Sequence, residues 1–190
     1  MQLYLKGERV AAGKSAIERR PYPPGKHGQG RPRPSEYRLQ LREKQKAKRY
    51  YGVRERQFRL YFQRARRASG PVGENLLRGL ERPLDNVLYR LGLAGTRAQT
   101  RQFVGHRHVL VNGRAGDRPS YEVEPDDVIS PKPDAPIEPV GAGRHGAGRR
   151  RTRLAPGGSR QPHRPRRAVP ERDEVDAPVQ EQLIVQLYSK

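Results

Sequence analysis

The sequence contains no cysteine and no tryptophan, and only 33% of its 190 residues are hydrophobic. Without cysteine, disulfide staples and thiolate metal sites are excluded. No apolar run approaches the roughly 20 residues needed to span a bilayer. The N-terminal stretch MQLYLKGERV also lacks the apolar core of a signal peptide. A cytosolic protein is the simplest interpretation.

Acidic residues are scarce, since 20 Asp and Glu stand against 40 Lys and Arg, for a net charge of +20. Such a field attracts polyanions, so nucleic acid is the expected partner and an anionic membrane a weaker alternative. The charge is uneven: residues 1–67 hold 20 basic and 5 acidic side chains, whereas residues 68–130 hold 8 of each. Residues 131–170 hold 10 basic and 2 acidic side chains. A neutral, foldable middle is therefore flanked by segments whose phosphate binding should depend strongly on salt.

The first half of the chain predicts an arm followed by a helical domain. Proline fixes φ and removes amide donors, so the Pro- and Gly-rich residues 1–34 predict an extended basic arm, although composition alone favours a disordered tail. Residues 35–81 predict helices, beginning with a helix capped by Ser35 and ended by Gly52. Two further helices carry apolar stripes, formed by Phe58, Tyr61, Phe62 and Ala65 and by Leu76, Leu77 and Leu80.

Residues 82–130 predict a small α+β module. After Pro83, leucine and valine recur at helical spacing up to a stop at Gly92. Thr96 and Gln99 then fit a capping box at the start of a second helix. HVLVNG predicts a strand and an Asn-Gly turn, and YEVE and DVI predict further short strands joined by a PDD turn. The fold class is thus α+β, with a mostly helical N-terminal domain and two helices packed on a short, mostly antiparallel sheet.

The last third of the chain is less regular. Residues 131–170 are rich in Pro, Gly and Arg, and we expect this low-complexity basic segment to be disordered. At 171–190, the alternation of Leu183, Val185 and Leu187 with polar residues predicts a half-buried strand, which could pack back on the helical domain.

The sequence resembles bacterial small-subunit ribosomal protein four in stretches that occur in the same order, including LYLKGER, AIERRPYPPGKHGQ, LDNVLYRLGLAGTRAQTRQFVGHRHVLVNGR and PVQEQLIVQLYSK. The resemblance covers roughly residues 3–130 and 169–190. It implies a cytoplasmic, ribosome-bound protein that is not an enzyme. Its implied role is to bind small-subunit ribosomal RNA, nucleate assembly of the subunit body and contribute to translational accuracy. The implied protein partners are ribosomal proteins five and twelve; no cofactor and no small-molecule substrate are implied.

RNA duplexes are recognised through shape, phosphates and 2′-hydroxyls, which selects cationic and amide side chains as site candidates. Arg97 and Arg101, one helical turn apart, are interpreted as a paired phosphate contact. The candidates of the module are Arg97, Gln99, Arg101, Gln102, His106, Arg107, His108, Asn112 and Arg114. Those of the arm and first long helix are Arg19, Arg20, Tyr22, Lys26, His27, Arg42, Lys44, Lys46, Lys48 and Arg49. His106 and His108 also admit a purely structural role, and no metal site is expected.

The chain departs from the family pattern at several points. Val10 and Ser15 stand where many members have a second pair of metal-binding cysteines, and the late start suggests that some N-terminal residues are missing. Arg107 stands where a glycine is usual, which predicts a strained positive φ. Asp126 also replaces a usual glycine, and Pro83 an arginine. The basic segment 131–168 is either a genuine linker or a paired frameshift, and we favour the frameshift.

Three other classes remain as alternatives. An enzyme that carries the same RNA-binding module would need a catalytic domain, and the sequence offers no segment for one. A stalled-ribosome factor would generally lack the PYPPGKHG arm and the C-terminal stretch. A membrane-surface protein would need an amphipathic helix with a broad apolar face.

Overall fold

A computed structural model describes most of the chain. The described residues are 3, 5–7, 10, 12–13, 15–30, 33–133, 135–137 and 174–189. The predicted low-complexity segment, and with it the choice between linker and frameshift, lies outside them except at 131–133 and 135–137. Within the described part, no helix combines the length and the apolar character needed to cross a membrane.

The described elements confirm the α+β class, with helices first and a small sheet after them. The helices are α1 (Ala16–Arg19), α2 (Glu36–Tyr51), α3 (Glu55–Arg67), α4 (Val72–Glu81), α5 (Leu84–Arg90), α6 (Arg97–Gly105) and α7 (Glu181–Tyr188). The strands are β1 (Val109–Val111), β2 (Arg114–Gly116) and β3 (Ile129–Pro131). We call α2, α3, α4 and the C-terminal residues 174–189 the helical domain, and residues 82–130 the module.

The arm includes α1, a short helix whose N-terminus is capped by Ser15: the Ser15 Oγ accepts a hydrogen bond from the Ile17 amide at 3.3 Å. Residues 20–30 form bends and turns. The proline content accounts for this, because each proline removes a backbone donor that a longer helix would need.

The first long helix, α2, begins and ends where the sequence predicts. The Ser35 Oγ accepts a hydrogen bond from the Arg38 amide at 3.3 Å, and Gly52 ends α2 with φ of 67°. The predicted stripe of α3 is buried throughout, with Phe58 fully inaccessible and Ala65 only 5% exposed. It packs against the leucines of α4, so amphipathic spacing was sufficient to locate this core.

The predicted C-terminal strand is wrong, because residues 181–188 form helix α7. Ile184 is fully buried and Tyr188 stacks on Phe62 with ring centroids 4.6 Å apart. Ile184 and Tyr188 are four residues apart, which is a helical spacing, and the alternation seen in the sequence is too short to distinguish the two periods. Together with Val175 and Val179, α7 completes the core of the helical domain.

The module begins with α5. Pro83 precedes this helix, and Gly92, with φ of 77°, follows it. At the start of α6 the Thr96 Oγ1 accepts a hydrogen bond from the Gln99 amide at 3.2 Å. The Gln99 Oε1 accepts in return from the Gly95 amide at 3.2 Å, whereas a capping box would use the Thr96 amide. The cap is therefore confirmed, and its reciprocal bond is displaced by one residue.

The sheet has the order β2-β1-β3, and both pairings are antiparallel. Asn112 and Gly113 join β1 to β2 with φ of 51° and 77°, as the predicted two-residue hairpin turn requires. One face of this sheet packs on α5 and α6 to form a second core. That core contains Leu84, Val87, Leu88, Leu93, Val104, Val109, Val123 and Ile129.

The prediction of a strand at YEVE is wrong. Glu122 forms only an isolated bridge with Pro83, and the strands that pair with β1 are β2 and β3. The segment instead pairs its backbone with the entry to α5: the Leu84 amide donates to the Tyr121 carbonyl at 2.8 Å, and the Val123 amide to the Arg82 carbonyl at 3.1 Å. Val123 is fully buried by this pairing, so its apolar character reflects core packing rather than a strand.

Candidate nucleic-acid interface

An edge of polar and cationic side chains runs along the module from α6 into the turn that follows. Arg101, Gln102, His106 and Arg107 are all exposed, and we call these four residues the module edge. Gln99 is also exposed, although its carbonyl oxygen is used by the helix cap. The structure thus presents two guanidinium groups, an amide and an imidazole to solvent within seven consecutive residues.

Arg107 occupies a backbone conformation that favours glycine, with φ of 60°. The His108 amide donates to the Phe103 carbonyl at 3.0 Å and the Arg107 amide to the Val104 carbonyl at 2.9 Å. These two bonds form a Schellman motif with Arg107 at the left-handed position. The positive φ expected at Arg107 is confirmed, whereas Asp126 is not among the residues with positive φ. The Arg107 Nη2 also reaches Asp117 Oδ2 at 3.2 Å, which holds the turn near the hairpin.

The two histidines differ in environment. His106 is exposed, whereas His108 is half-buried and meets Phe103 edge-on with centroids 6.3 Å apart. The imidazole centroids of the pair are 5.9 Å apart. Within the described residues, no three His, Asp or Glu side chains gather closely enough to hold a metal ion. His106 is therefore placed to contact a ligand, and His108 to hold the turn against α6.

Arg114 and Asn112 lie on the hairpin, and they play different roles. Arg114 is exposed. The Asn112 amide bridges the hairpin to the loop before β3: its Nδ2 donates to Asp127 Oδ1 at 2.7 Å and its Oδ1 accepts from the Val128 amide at 2.8 Å. Burial alone would raise the pKa of Asp127, but hydrogen bonds from the Glu124 amide and Asn112 hold it below its usual value. Asn112 thus shapes the hairpin.

The structure does not bring Arg97 and Arg101 together as a pair of exposed cations. The Arg97 guanidinium lies over the Tyr50 and Tyr89 rings, 4.1 and 4.4 Å from their centroids. Its Nε donates to Asn86 Oδ1 at 2.7 Å. Helical spacing places the two arginines one turn apart, but Tyr50 of α2 and Tyr89 of α5 cover only Arg97.

Arg101 remains at the surface, beside a carboxylate. Its Nη1 lies 3.4 Å from Asp85 Oδ2, and its side chain is 55% exposed. Burial raises the pKa of Asp85 to about 6, although Arg101 and the Asn86 amide act in the opposite direction. The Arg101 guanidinium is therefore held by a long ion pair with Asp85. An RNA phosphate could replace this carboxylate as its partner.

The five cations predicted along α2 divide into two groups. Arg42 and Arg49 are exposed. Lys44 is buried and donates to Glu55 at 2.8 Å, and Lys48 reaches the same carboxylate at 3.2 Å. Burial alone would raise the pKa of Glu55, but these two lysines lower it. Lys46 pairs with Glu43 at 2.6 Å. Lys44 and Lys48 thus fasten α2 to α3, Lys46 pairs within α2, and the two arginines are exposed.

The predicted arm residues lie at the surface. Arg19, Arg20, Lys26 and His27 are exposed. Tyr22 is half-buried, with the Arg20 guanidinium 4.7 Å from its ring centroid.

A further row of cations was not among the predicted site residues. Its members lie on α3 outside the buried stripe and are all exposed: Arg56, Arg59, Arg66 and Arg67. The signal was present in the sequence, because these arginines recur at helical spacing between the apolar positions. With the module edge, this row gives the protein cationic surfaces on both domains.

Two family models match the chain in succession. The Ribosomal protein S4/S9 N-terminal domain matches residues 1–81, and the S4 domain matches residues 82–129. The boundary between them falls between α4 and α5, where the two cores separate. A basic helical domain joined to this small α+β module defines the class of ribosomal proteins that carry an S4 domain.

Similar proteins extend the match to the whole chain. Small ribosomal subunit protein uS4 of Pelotomaculum thermopropionicum is 52% identical, and the alignment covers 100% of this chain and 92% of the relative. The proteins of the same name from Acidothermus cellulolyticus and Acetivibrio thermocellus are 51% and 49% identical with the same coverage. The chain belongs to the uS4 family of small ribosomal subunit proteins.

Proposed function

We propose that this protein is a structural, non-enzymatic component of the small ribosomal subunit and that it binds ribosomal RNA. Family membership supports the ribosomal role. The observation that carries the RNA-binding site is the module edge, where Arg101 and Arg107 are exposed beside Gln102 and His106. The net charge of +20 supports the same partner.

The chemistry of the module edge suits a folded RNA. Side chains do not reach into the deep groove of an RNA helix, so recognition relies on phosphates and 2′-hydroxyls. Arg101 and Arg107 provide guanidinium forks that bind phosphate oxygens in pairs. Gln102 and His106 provide neutral donors and acceptors for ribose hydroxyls. Arg114 and the outward arginines of α2 and α3 extend the contact to neighbouring backbone.

We further propose that the protein binds early and nucleates assembly of the subunit body. The resemblance to small-subunit ribosomal protein four supports this role, together with a contribution to translational accuracy and contacts with ribosomal proteins five and twelve. The test is order-of-addition reconstitution of small subunits, in which omission of this protein alone should prevent the later proteins from joining the body. Cross-linking of reconstituted particles should recover the two neighbours.

The RNA contact is tested by measuring affinity for a small-subunit ribosomal RNA transcript across a range of salt concentrations. Arg101→Ala should weaken binding and reduce the slope of log K against log salt by about 0.7–0.9, the change expected for one lost phosphate contact. Arg78→Ala is a charge-matched control, because Arg78 lies on α4 and pairs with Glu74 at 3.6 Å. The control should leave the slope unchanged.

Two outcomes would contradict the proposal. One is an Arg101→Ala slope equal to that of the wild type, which would remove Arg101 from the interface. The other is equal binding of the wild-type protein to heparin and to the structured transcript at the same salt concentration, which would reduce the interaction to nonspecific charge attraction.

A further inference from the structure

Arg97 lies at the junction of the two domains, enclosed by three tyrosine rings. Tyr50 and Tyr51 come from α2 in the helical domain, and Tyr89 comes from α5 in the module. The guanidinium carbon is 4.1, 5.3 and 4.4 Å from the respective ring centroids. One nitrogen, Nη2, is buried and has no hydrogen-bond partner within the described residues. The aromatic faces hold this cation through its π-contacts, so a residue of the module is fixed by the helical domain.

A buried carboxylate adjoins this enclosure and connects the same elements. Glu81, at the end of α4, accepts hydrogen bonds from Tyr51 Oη at 2.7 Å and from Asn86 Nδ2 at 2.5 Å. It also pairs with Arg90 Nη2 at 2.6 Å, and Arg90 Nη1 lies 3.5 Å from Asp176 in the C-terminal segment. Asn86 in turn accepts from the Arg97 Nε. The network therefore joins α2, α4 and the C-terminal segment to α5 and α6.

Directional bonds of this kind define an orientation between the two domains. Arg64 of α3 also reaches Glu122 of the module at 2.6 Å, but this ion pair is weaker because the Arg64 side chain is 63% exposed. An exposed pair is screened by solvent and costs side-chain entropy, so it does little to set an angle. The buried network around Arg97 and Glu81 thus fixes the orientation of the module relative to the helical domain.

That orientation controls an open cleft between the domains. The cleft has a volume of about 280 Å³, and Arg49 of α2 and Arg101 of α6 both line it, together with Arg97 and Tyr89. Arg49 and Arg101 are exposed cations from different domains. Their common cleft exists only while α2 and α6 keep their present arrangement.

We propose that Arg97 is a positioning residue, which holds Arg49 and Arg101 along one interdomain cleft so that a single stretch of RNA backbone engages both. This inference rests on the proposed RNA-binding function. Arg97 itself neutralises no phosphate; it acts by fixing the domain angle before RNA binds. A preorganised site avoids the ordering cost that two loosely joined domains would incur on binding.

Arg97→Met tests the proposal, because it removes the cation and keeps an unbranched side chain of comparable length. Affinity for the ribosomal RNA transcript should fall by about tenfold, as expected when binding must also order the domains. The slope of log K against log salt should stay at the wild-type value. Arg101→Ala lowers that slope, so the two arginines give different signatures. Arg78→Met removes the same charge on α4 and should change neither quantity.

The domain angle is measured directly by paired spin labels. The chain has no cysteine, so Gln182→Cys on α7 and Ala115→Cys on β2 provide two unique labelling sites at exposed positions. The label-to-label distance distribution should be narrow in the parent protein and broad in Arg97→Met. Addition of RNA should restore the narrow distribution in the variant. The distance distribution of the free protein is measured without RNA. It therefore tests the positioning role of Arg97 even if the proposed RNA-binding function is wrong.

Arg97→Lys keeps the charge and a ring contact but loses the guanidinium Nε that bonds Asn86. It should recover part of the affinity and part of the narrow distribution, and it replaces Arg97→Met if that variant does not fold. The proposal is overturned if the free variants keep the narrow distribution, if they bind RNA as tightly as the parent protein, or if Arg97→Met lowers the salt slope as Arg101→Ala does.

Discussion

Glu81 and Arg90 form a two-point ion pair at the domain junction, with Nη2–Oε1 and Nε–Oε2 distances of 2.6 and 3.0 Å. Their side chains are only 2% and 9% exposed. Burial alone would raise the pKa of Glu81, but Arg90 holds it below its usual value. Burial likewise opposes charge on Arg90, and Glu81 nevertheless raises the Arg90 pKa. The two charges are therefore tolerated in the interior only as a pair.

Glu81→Gln should lower the free energy of unfolding by about 3 kcal/mol at pH 7, because it takes the closest carboxylate away from the buried Arg90 charge. The folded-state pKa of Glu81 is depressed, so its stabilisation is present above the unfolded pKa and is lost as pH falls through the folded value. The difference between wild type and variant should accordingly shrink below pH 4. Urea denaturation at a series of pH values measures it.

Glu74→Gln is the matched control for that experiment. Glu74 lies on the same helix and pairs with Arg78 at 3.6 Å, but both side chains are more than a third exposed. Its replacement should change the free energy of unfolding by no more than about 0.5 kcal/mol at any of these pH values. Similar losses in Glu74→Gln and Glu81→Gln would show that the buried pair has no special role.

Local signals in the sequence were sufficient to predict most of the described helices. Ser35 and Gly52 delimit α2 because capping and left-handed termination are properties of a few neighbouring residues. The C-terminal helix could not be predicted in the same way. Its N-cap residue, Gln180, makes no side-chain capping bond, and only the fit of Ile184 and Tyr188 into the helical core selects the helix over a strand.

The candidate site shows the same division between local and tertiary information. The surface position of Arg101 is predicted correctly, because it follows from the periodicity of α6. Arg97 and Lys44 carry the same charge as Arg101, yet Arg97 enters a tyrosine enclosure and Lys44 pairs with Glu55. Their partners lie on other helices, and periodicity within one helix does not identify such partners.

Asp85→Asn should stabilise the protein at pH 7.5 by about 1–2 kcal/mol, because the ionised carboxylate is costly where it lies. Burial raises the pKa of Asp85 to about 6 from an ordinary value of 3.8. A raised folded-state pKa contributes stability below the unfolded pKa, and this contribution is lost as pH rises through about 6. The gain in the variant should therefore be full above pH 7 and vanish near pH 4, as followed by urea denaturation.

Asp117→Asn serves as the control for Asp85→Asn. The Asp117 side chain is 49% exposed and pairs with Arg107 at 3.2 Å. Its replacement should have a small effect, within about 0.5 kcal/mol. A gain in Asp85→Asn that does not vary with pH would contradict the assignment of the cost to ionisation.

Gly73→Ala should destabilise the protein by about 1–3 kcal/mol, because α4 and α7 touch at this position. An added Cβ would lie 2.6 Å from the Glu181 Cγ and 3.0 Å from its Cβ, so α7 would have to move. Gly79 lies on the same helix, and there an added Cβ would meet only the Tyr61 ring at 3.6 Å, an ordinary contact. Gly79→Ala should instead stabilise α4 by about 0.5–1 kcal/mol. Thermal unfolding of the two variants tests the close approach, and a stabilising Gly73→Ala would refute it.

Arg107→Gly should make the protein more stable and a weaker RNA binder. Glycine relieves the positive φ of the Schellman position, a gain of about 1 kcal/mol. The lost pair with Asp117 is exposed and offsets little of it. If Arg107 contacts one phosphate of the RNA, the salt slope should fall by about 0.7–0.9 in the same variant.

Arg114→Gly separates these two effects. Arg114 is exposed on β2 and does not have positive φ, so glycine there removes the same charge and should destabilise the protein. Opposite shifts in melting temperature for the two variants would show that the gain at Arg107 comes from the backbone. A lower melting temperature in Arg107→Gly would mean that the guanidinium stabilises the turn by more than the strain costs. An unchanged salt slope in Arg107→Gly would confine the phosphate contacts of the module edge to Arg101.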